Sequence, residues 1–191
     1  MLSLKRPLIL ASGSPRRKEL LMMLNIPFEV KVKNTDESHP LNELADNIPE
    51  LLAIRKATAF KDDINNEIII SADTIVIIEN EILEKPKDKV DAKNMLSKLS
   101  GKEHLVVTGV CILSKENQIS FSDETRVTFN ELSDQEIEFY IDHYKPYDKA
   151  GAYACQEWIG AVAINRFDGS YHNVVGLPVH KVYKALLSFN H

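Results

Sequence analysis

Two cysteines in 191 residues, Cys111 and Cys155, cannot build a disulfide framework or a four-thiolate zinc site. Cys111 lies in the apolar run Val110-Cys111-Ile112-Leu113 and reads as a buried small hydrophobe. No window approaches the roughly 18 apolar residues of a membrane-spanning helix. Met1 to Leu10 lacks the long apolar stretch and small-residue cleavage site of a signal peptide, so a cytoplasmic, soluble protein is expected. Positive charge is in deficit: 23 Lys and Arg stand against 28 Asp and Glu, a formal charge of −5. That mean field repels phosphate polymers and anionic lipid, so neither nucleic acid nor a membrane is the expected partner. Repeats, low-complexity segments and linkers are missing too. At ~150 residues per domain, one domain over residues 1–191 is the expectation.

What is present alternates between strands and helices. Leu8-Ile9-Leu10-Ala11 suits a buried strand, and Ser14 with Pro15 caps and opens a helix whose apolar face is Leu20, Leu21, Met23 and Leu24. Residues 28–33 alternate as a strand, residues 34–46 read as a polar loop, and Pro49 opens a helix to about Phe60. Ile68-Ile69-Ile70 is a second buried strand. After Ser71-Ala72-Asp73-Thr74 comes a hairpin of residues 75–78 and 82–83 around Glu79-Asn80-Glu81. Asp88 caps a helix to about Leu99, stopped at Gly101. Residues 104–113 and 119–129 form two long strands, and Ser133 with Glu136 writes a capping box for a helix to about His143. Residues 159–167 read as a strand, residues 169–178 as a turn, a short strand and a lead-in to a C-terminal helix through Leu187. The sum is an α/β fold: a mixed twisted sheet flanked by helices.

Three clusters bear on chemistry. In Ser12-Gly13-Ser14-Pro15-Arg16-Arg17 a strand ends, hydroxyls turn the chain and a helix starts with two arginines. Free N–H groups, the helix dipole and guanidinium forks all suit phosphate, although the glycine spacing is not that of a Walker loop. The structural alternative is a capped helix with solvated arginines. Against it, cations near a helix N-terminus oppose the dipole by about a few tenths of a kcal/mol, so an anion would explain them. Asp73 follows an apolar strand, where an aspartate can hold a hard metal, take a proton from water, or simply make a turn. Lys85 in Glu84-Lys85-Pro86 is either a solvated charge or one held in place by the proline. Asp148 through Gln156 joins small residues, which permit close backbone approach, to Gln156, whose amide can read a base edge. Cys155 reads as packing rather than as a nucleophile, and His172 has no spacing partner that would suggest a metal. Thr35-Asp36-Glu37-Ser38 is a solvated loop or the source of a metal carboxylate.

Taken in order, six stretches carry a resemblance: Leu10 through Leu21, Ala72-Asp73-Thr74-Ile75-Val76, Glu84-Lys85-Pro86, Leu99-Ser100-Gly101, Asp148 through Tyr153, and Gly169 through Pro178. Together they resemble the Maf family of nucleoside triphosphate pyrophosphatases, also called septum formation inhibitors, over nearly the whole chain. The resemblance implies two lobes around a cleft, similar to the inosine triphosphate pyrophosphatases. It also implies hydrolysis of a nucleoside triphosphate between the α- and β-phosphates with a divalent cation, magnesium or manganese. The Asp73-Thr74 pair and the Gln156 stretch look like the branch acting on dTTP and UTP, with modified pyrimidine nucleotides as further substrates. On that likeness Asp73 is the base and Lys85 acts beside it on the triphosphate. Ser12, Arg17 and Lys56 also contact the triphosphate, while Arg16, Thr74 and Gln156 set base specificity. Glu37 and Asp73 hold the metal. Departures are Ser71 for a usual glycine and Ala154-Cys155 for glycine-isoleucine, the second of which bears on how Gln156 is presented. Family members are often homodimers, but no patch in this sequence specifies an assembly. Two other readings stand beside this one: a 7-methyl-GTP pyrophosphatase, and a non-catalytic regulator of cell division.

Overall fold

The computed structural model describes residues 4–38 and 43–189. In chain order the elements begin with β1 (Leu8–Leu10), α1 (Pro15–Met22), β2 (Glu29–Val30), α2 (Ile48–Thr58), β3 (Ile68–Ile78), β4 (Glu81–Leu83) and α3 (Lys89–Leu99). They continue with β5 (Glu103–Leu113), β6 (Gln118–Phe129), α4 (Asp134–Tyr144), α5 (Trp158–Ala163), β7 (Ile164–Gly169), α6 (Tyr171–Val175) and α7 (Val179–Leu187). The strand order is β2-β1-β3-β5-β6-β7, with β4 paired to β3. β1 runs parallel to β2 and β3, whereas β3–β4 and β6–β7 are antiparallel, so the sheet is mixed as expected. No helix among the described residues is long and apolar enough to cross a membrane.

The chain divides into two compact units. The first comprises residues up to Asp73, Thr108–Asp123, and Gly176 onward. Its core gathers Ile9, Ala53, Ala57, Phe60, Ile69 and Cys111. β1 is buried along its whole length, which is why its apolar run is unbroken rather than alternating. Burial pushes the Cys111 thiol up to about 12, so it packs and does not react. Ser14 Oγ accepts the Arg17 N–H at 3.5 Å and Pro15 opens α1, as read from the sequence, and Leu20 and Leu21 are buried; Met23, expected on the same apolar face, instead lies past the helix end and is exposed.

The second unit, Thr74–Val107 with Glu124–Val175, has its own core of Val76, Leu96, Leu99, Val127, Phe129, Tyr140, Ile141 and Tyr153. Asp88 caps α3 through the Asp91 N–H at 2.8 Å, and the Ser133/Glu136 capping box opens α4. The β3–β4 turn places Glu79 and Asn80 at φ 51° and 65°, the left-handed pair that a tight hairpin turn requires. His104 is 3% exposed, flanked edge-on by Phe129 and Tyr153, and its Nε2 shares a 2.8 Å hydrogen bond with the Tyr153 hydroxyl. Burial lowers its pKa from 6.5 to about 4. The neutral ring is thus the native form, and the unfolded chain binds the proton first. Stability is therefore full above pH ~6.5 and is lost as pH falls toward ~4, by up to about 3 kcal/mol. Urea unfolding at a series of pH values checks this: His104→Gln should start less stable at neutral pH and then lose less than wild type on acidification.

Four expectations need correction. Residues 68–78 form one strand rather than two, because the buried Ser71 hydroxyl donates to Ala53 O at 2.6 Å and the polar residues need no turn. Asp73 is therefore in mid-strand, not beyond a strand's end. The strand expected at 28–33 pairs only over Glu29–Val30. In 159–167, Trp158–Ala163 is a helix and only Ile164–Gly169 is strand; Gly160 rests against the Cys155 carbonyl, where a Cβ would stand 1.8 Å away. In 169–178 the short strand is instead α6, started by Ser170, whose hydroxyl accepts the Asn173 N–H at 3.3 Å. The loop read over 34–46 ends in a single 3-10 turn, Ala45–Asn47, and its residues 39–42 lie outside the described residues.

Candidate active site

In the first unit, the loop between β1 and α1 brings Ser12 to Arg17. The Ser12 hydroxyl accepts from the Ser14 N–H at 3.3 Å and from Arg17 Nη1 at 3.4 Å. Arg17 Nε donates to Gly176 O at 2.9 Å, so the guanidinium is held from both sides and its aim is set before any ligand arrives. Burial lowers the Arg17 pKa, and the field of Asp73 opposes that shift. Arg16 lowers it further and Glu37 raises it. Arg16, Arg17, Glu37 and Asp73 therefore share one electrostatic neighbourhood.

Lys56, in the last turn of α2, is the hub of the carboxylates. Its Nζ lies 2.6 Å from Asp73 Oδ1 and 2.7 Å from Glu37 Oε1. The side chains of Lys56 and Asp73 are 17% and 15% exposed, against 55% for Glu37. The pair is thus screened well below a surface ion pair, with one carboxylate facing water. Glu37 is carried on a built loop. Asp36 accepts the Ser38 N–H at 2.9 Å and its hydroxyl at 2.7 Å, which draws the Asp36 pKa below its ordinary value. Arg55 Nη1 donates to Asp36 O at 2.7 Å and Ser38 O at 2.5 Å, clamping the backbone on either side of Glu37. Arg55 was not visible as a functional residue in the sequence. The signal available was its place beside Lys56, one residue around the same helical turn.

The donor set suits a hard cation. Glu37 Oε1 and Asp73 Oδ1 both approach Lys56 Nζ, so the point they share is held by an ammonium, and each carboxylate keeps a second oxygen for a metal ion. Among the described residues no group of three or more His, Cys, Asp or Glu could form a complete protein cage. One or two carboxylates completed by substrate phosphates is the way magnesium is commonly held.

Thr74 follows Asp73 in β3 and is half-buried in the second unit. Lys85 in that unit is exposed beside the buried Pro86, and makes no ion pair among the described residues. The preceding Glu84 is tied down, its carbonyl accepting the Gly151 N–H at 3.1 Å. Gln156 is exposed, and Cys155 Sγ lies 3.7 Å from its Oε1. Ala154 and Cys155, where the family resemblance leads to an expectation of glycine and isoleucine, have no left-handed backbone; that conformation falls at Gly151 and Ala152, φ 64° and 58°. The missing glycine is thus not one the turn requires for its φ.

The geometry invites comparison with known proteins. A dTTP/UTP pyrophosphatase of Phocaeicola vulgatus is 50% identical over 184 residues, covering 95% of each chain. One from Christiangramia forsetii is 48% identical over 180 residues, 94% of this chain and 92% of that one. One from Porphyromonas gingivalis W83 is 47% identical over 189 residues, 97% and 95%. The Staphylococcus aureus Ham1 protein shares the fold, with a TM-score of 0.54 over 96% of this chain and 98% of that one, at 13% identity. The Maf-like protein family itself matches residues 7–189, and the chain belongs to that family.

Proposed function

We propose that this protein hydrolyses dTTP and UTP to the monophosphate and pyrophosphate. The observation that carries the reading is the convergence of Asp73 and Glu37 on Lys56 beside the Ser12–Arg17 loop, in a chain about half identical to enzymes named for that reaction. Asp73 accepts a proton from a water molecule, whose oxygen attacks the α-phosphorus. The bond from that phosphorus to the bridging oxygen breaks, and pyrophosphate departs with the oxygen. Such transfers depend on positioning and charge neutralisation more than on covalent work by the protein. Arg17 and the Ser12 hydroxyl hold phosphate oxygens in a fixed orientation, Lys56 balances the carboxylates, and Lys85 meets the triphosphate with a charge not already committed. Glu37 and Asp73 would hold a magnesium or manganese ion, which when bound adds positive charge at the phosphates and acidifies water. Gln156, with Arg16 and Thr74, reads the pyrimidine: an amide offers one donor and one acceptor to the O4 and N3–H edge.

The deciding experiment is pyrophosphate release from a panel of dTTP, UTP, CTP, ATP and 7-methyl-GTP with magnesium or manganese. Turnover is expected with dTTP and UTP well above the rest. Preference for 7-methyl-GTP would move the chain to that specificity, and no release from any of the panel would favour a binding role in division control.

A further inference from the structure

The turn that carries Gln156 is tied at both ends to a single oxygen. The Ala154 N–H donates to the Tyr140 phenol oxygen at 3.2 Å, and the phenol O–H donates to Glu157 Oε2. The Glu157 N–H returns to Ala154 O at 3.0 Å, closing a turn whose tip is Cys155 and Gln156. Cys155 is buried, so Gln156 is the tip residue left to solvent. Lys149 Nζ stands 3.4 Å from Glu157 Oε1 and 2.7 Å from Asp148 Oδ1, which fixes the far side of the carboxylate. Gly160 closes the arrangement from beneath, against the Cys155 carbonyl. Hydrolysis as derived above uses neither Tyr140, Glu157 nor Lys149. Bringing a carboxylate to a fully buried phenol has a desolvation cost that an apolar residue at position 157 would not incur.

Resting on the pyrophosphatase reading, we infer that Tyr140, held by Glu157, is a positioning residue for base selection: the phenol bridge sets the backbone from Ala154 to Glu157 and with it the register of the Gln156 amide against the pyrimidine edge. Burial and the adjacent carboxylate keep the Tyr140 phenol above its ordinary pKa, so it remains a donor throughout the neutral range. Uracil and thymine differ from cytosine at O4 and N3, the atoms that one amide reads, so a misplaced amide loses that distinction before it loses chemistry.

The test compares wild type with Tyr140→Phe, Glu157→Ala and Glu157→Gln, measuring kcat and KM for dTTP and CTP and calorimetric binding of dTMP and CMP. Tyr140→Phe and Glu157→Ala should raise KM for dTTP about tenfold with kcat within about twofold, lowering the dTTP:CTP ratio of kcat/KM about tenfold. Glu157→Gln keeps an acceptor for the phenol and should stay within about twofold of wild type. Gln156→Ala marks the floor toward which the first two variants move. A ratio unchanged in both Tyr140→Phe and Glu157→Ala, whatever happens to their Tm, overturns the inference, as does a loss confined to kcat. A wild type that releases no pyrophosphate overturns the enzymatic reading alone. The clamp is then judged by the dTMP:CMP binding ratio: a fall in that ratio in the two variants upholds it, and no fall, or no discrimination by wild type, overturns it.

Discussion

Asp73→Asn is expected to lower pyrophosphate release from dTTP by about a thousandfold, the scale of losing a general base together with part of the local charge arrangement. The change is nearly isosteric, and the carboxamide oxygen can still accept from Lys56 Nζ, now 2.6 Å from the carboxylate. Ser71 on one side remains bonded to Ala53, and β3 keeps its parallel register to β1, so Tm should move by only about 2 °C. Steady-state rates across a magnesium series separate the two roles of this carboxylate. Rates that stay low at all concentrations place Asp73 in proton transfer. Recovery at high magnesium assigns it chiefly to holding the ion. A rate within tenfold of wild type at ordinary magnesium removes it from both.

The parts of the fold legible in the sequence were those governed by local chemistry. Ser14, Asp88 and Ser133 cap helices because a side-chain oxygen just before the helix start meets the free N–H groups whatever the tertiary context. The 79–81 turn was legible for the same reason. What failed were short apolar runs, where periodicity does not separate strand from helix. Residues 159–163 contain Ile, Val, Ala and one Gly, and their state is decided by Gly160 packing on the Cys155 carbonyl, which is a tertiary contact. Val174-Val175 reads as strand, yet Asn173 reaches Val106 O and Thr125 Oγ1 from a helical turn, and that anchor prevails over β-branched preference.

The candidate site divides along the same line. The Ser12–Arg17 loop stands out because cations at a helix start are costly without an anion. Asp73 stood out beside an apolar run, though its mid-strand position was not readable. Lys56 entered through the family resemblance and not through its own pattern, since a lysine on an amphipathic helix is ordinary. Its meaning lies in the 17 residues of separation from Asp73 that the fold closes to a hydrogen bond. Arg55 and Tyr140 were invisible for the same reason: each acts by holding backbone from elsewhere in the chain. The net charge of −5 describes the surface average, while Arg16, Arg17 and Lys56 collect in one neighbourhood of the first unit. A small polyanion responds to that neighbourhood, and a phosphate polymer to the average.

Gly109→Ala should be among the most damaging single-methyl substitutions in the first unit. Gly109 lies in β5 with φ outside the left-handed region, so its value is closeness and not conformational freedom. A Cβ there would stand 2.1 Å from Glu50 N and 2.2 Å from Pro49 C, backbone atoms in the first turn of α2. Backbone of a buried helix cannot swing aside as a flexible side chain would, so the helix start has to move. Overpacking of this kind costs about 3 kcal/mol, a fall in Tm of roughly 6–12 °C for a chain of this size. Because α2 carries Lys56 at its other end, turnover should fall with it even at temperatures where the variant is folded. Gly13→Ala is the matched control: its Cβ would meet only Val32 Cγ2, at an ordinary 3.6 Å, so its stability should stay within about 0.5 kcal/mol of wild type. Differential scanning calorimetry of both variants reads the contrast directly. Equal Tm values would mean that α2 does not press on β5 at Gly109, and the placement of Lys56 would then need another support.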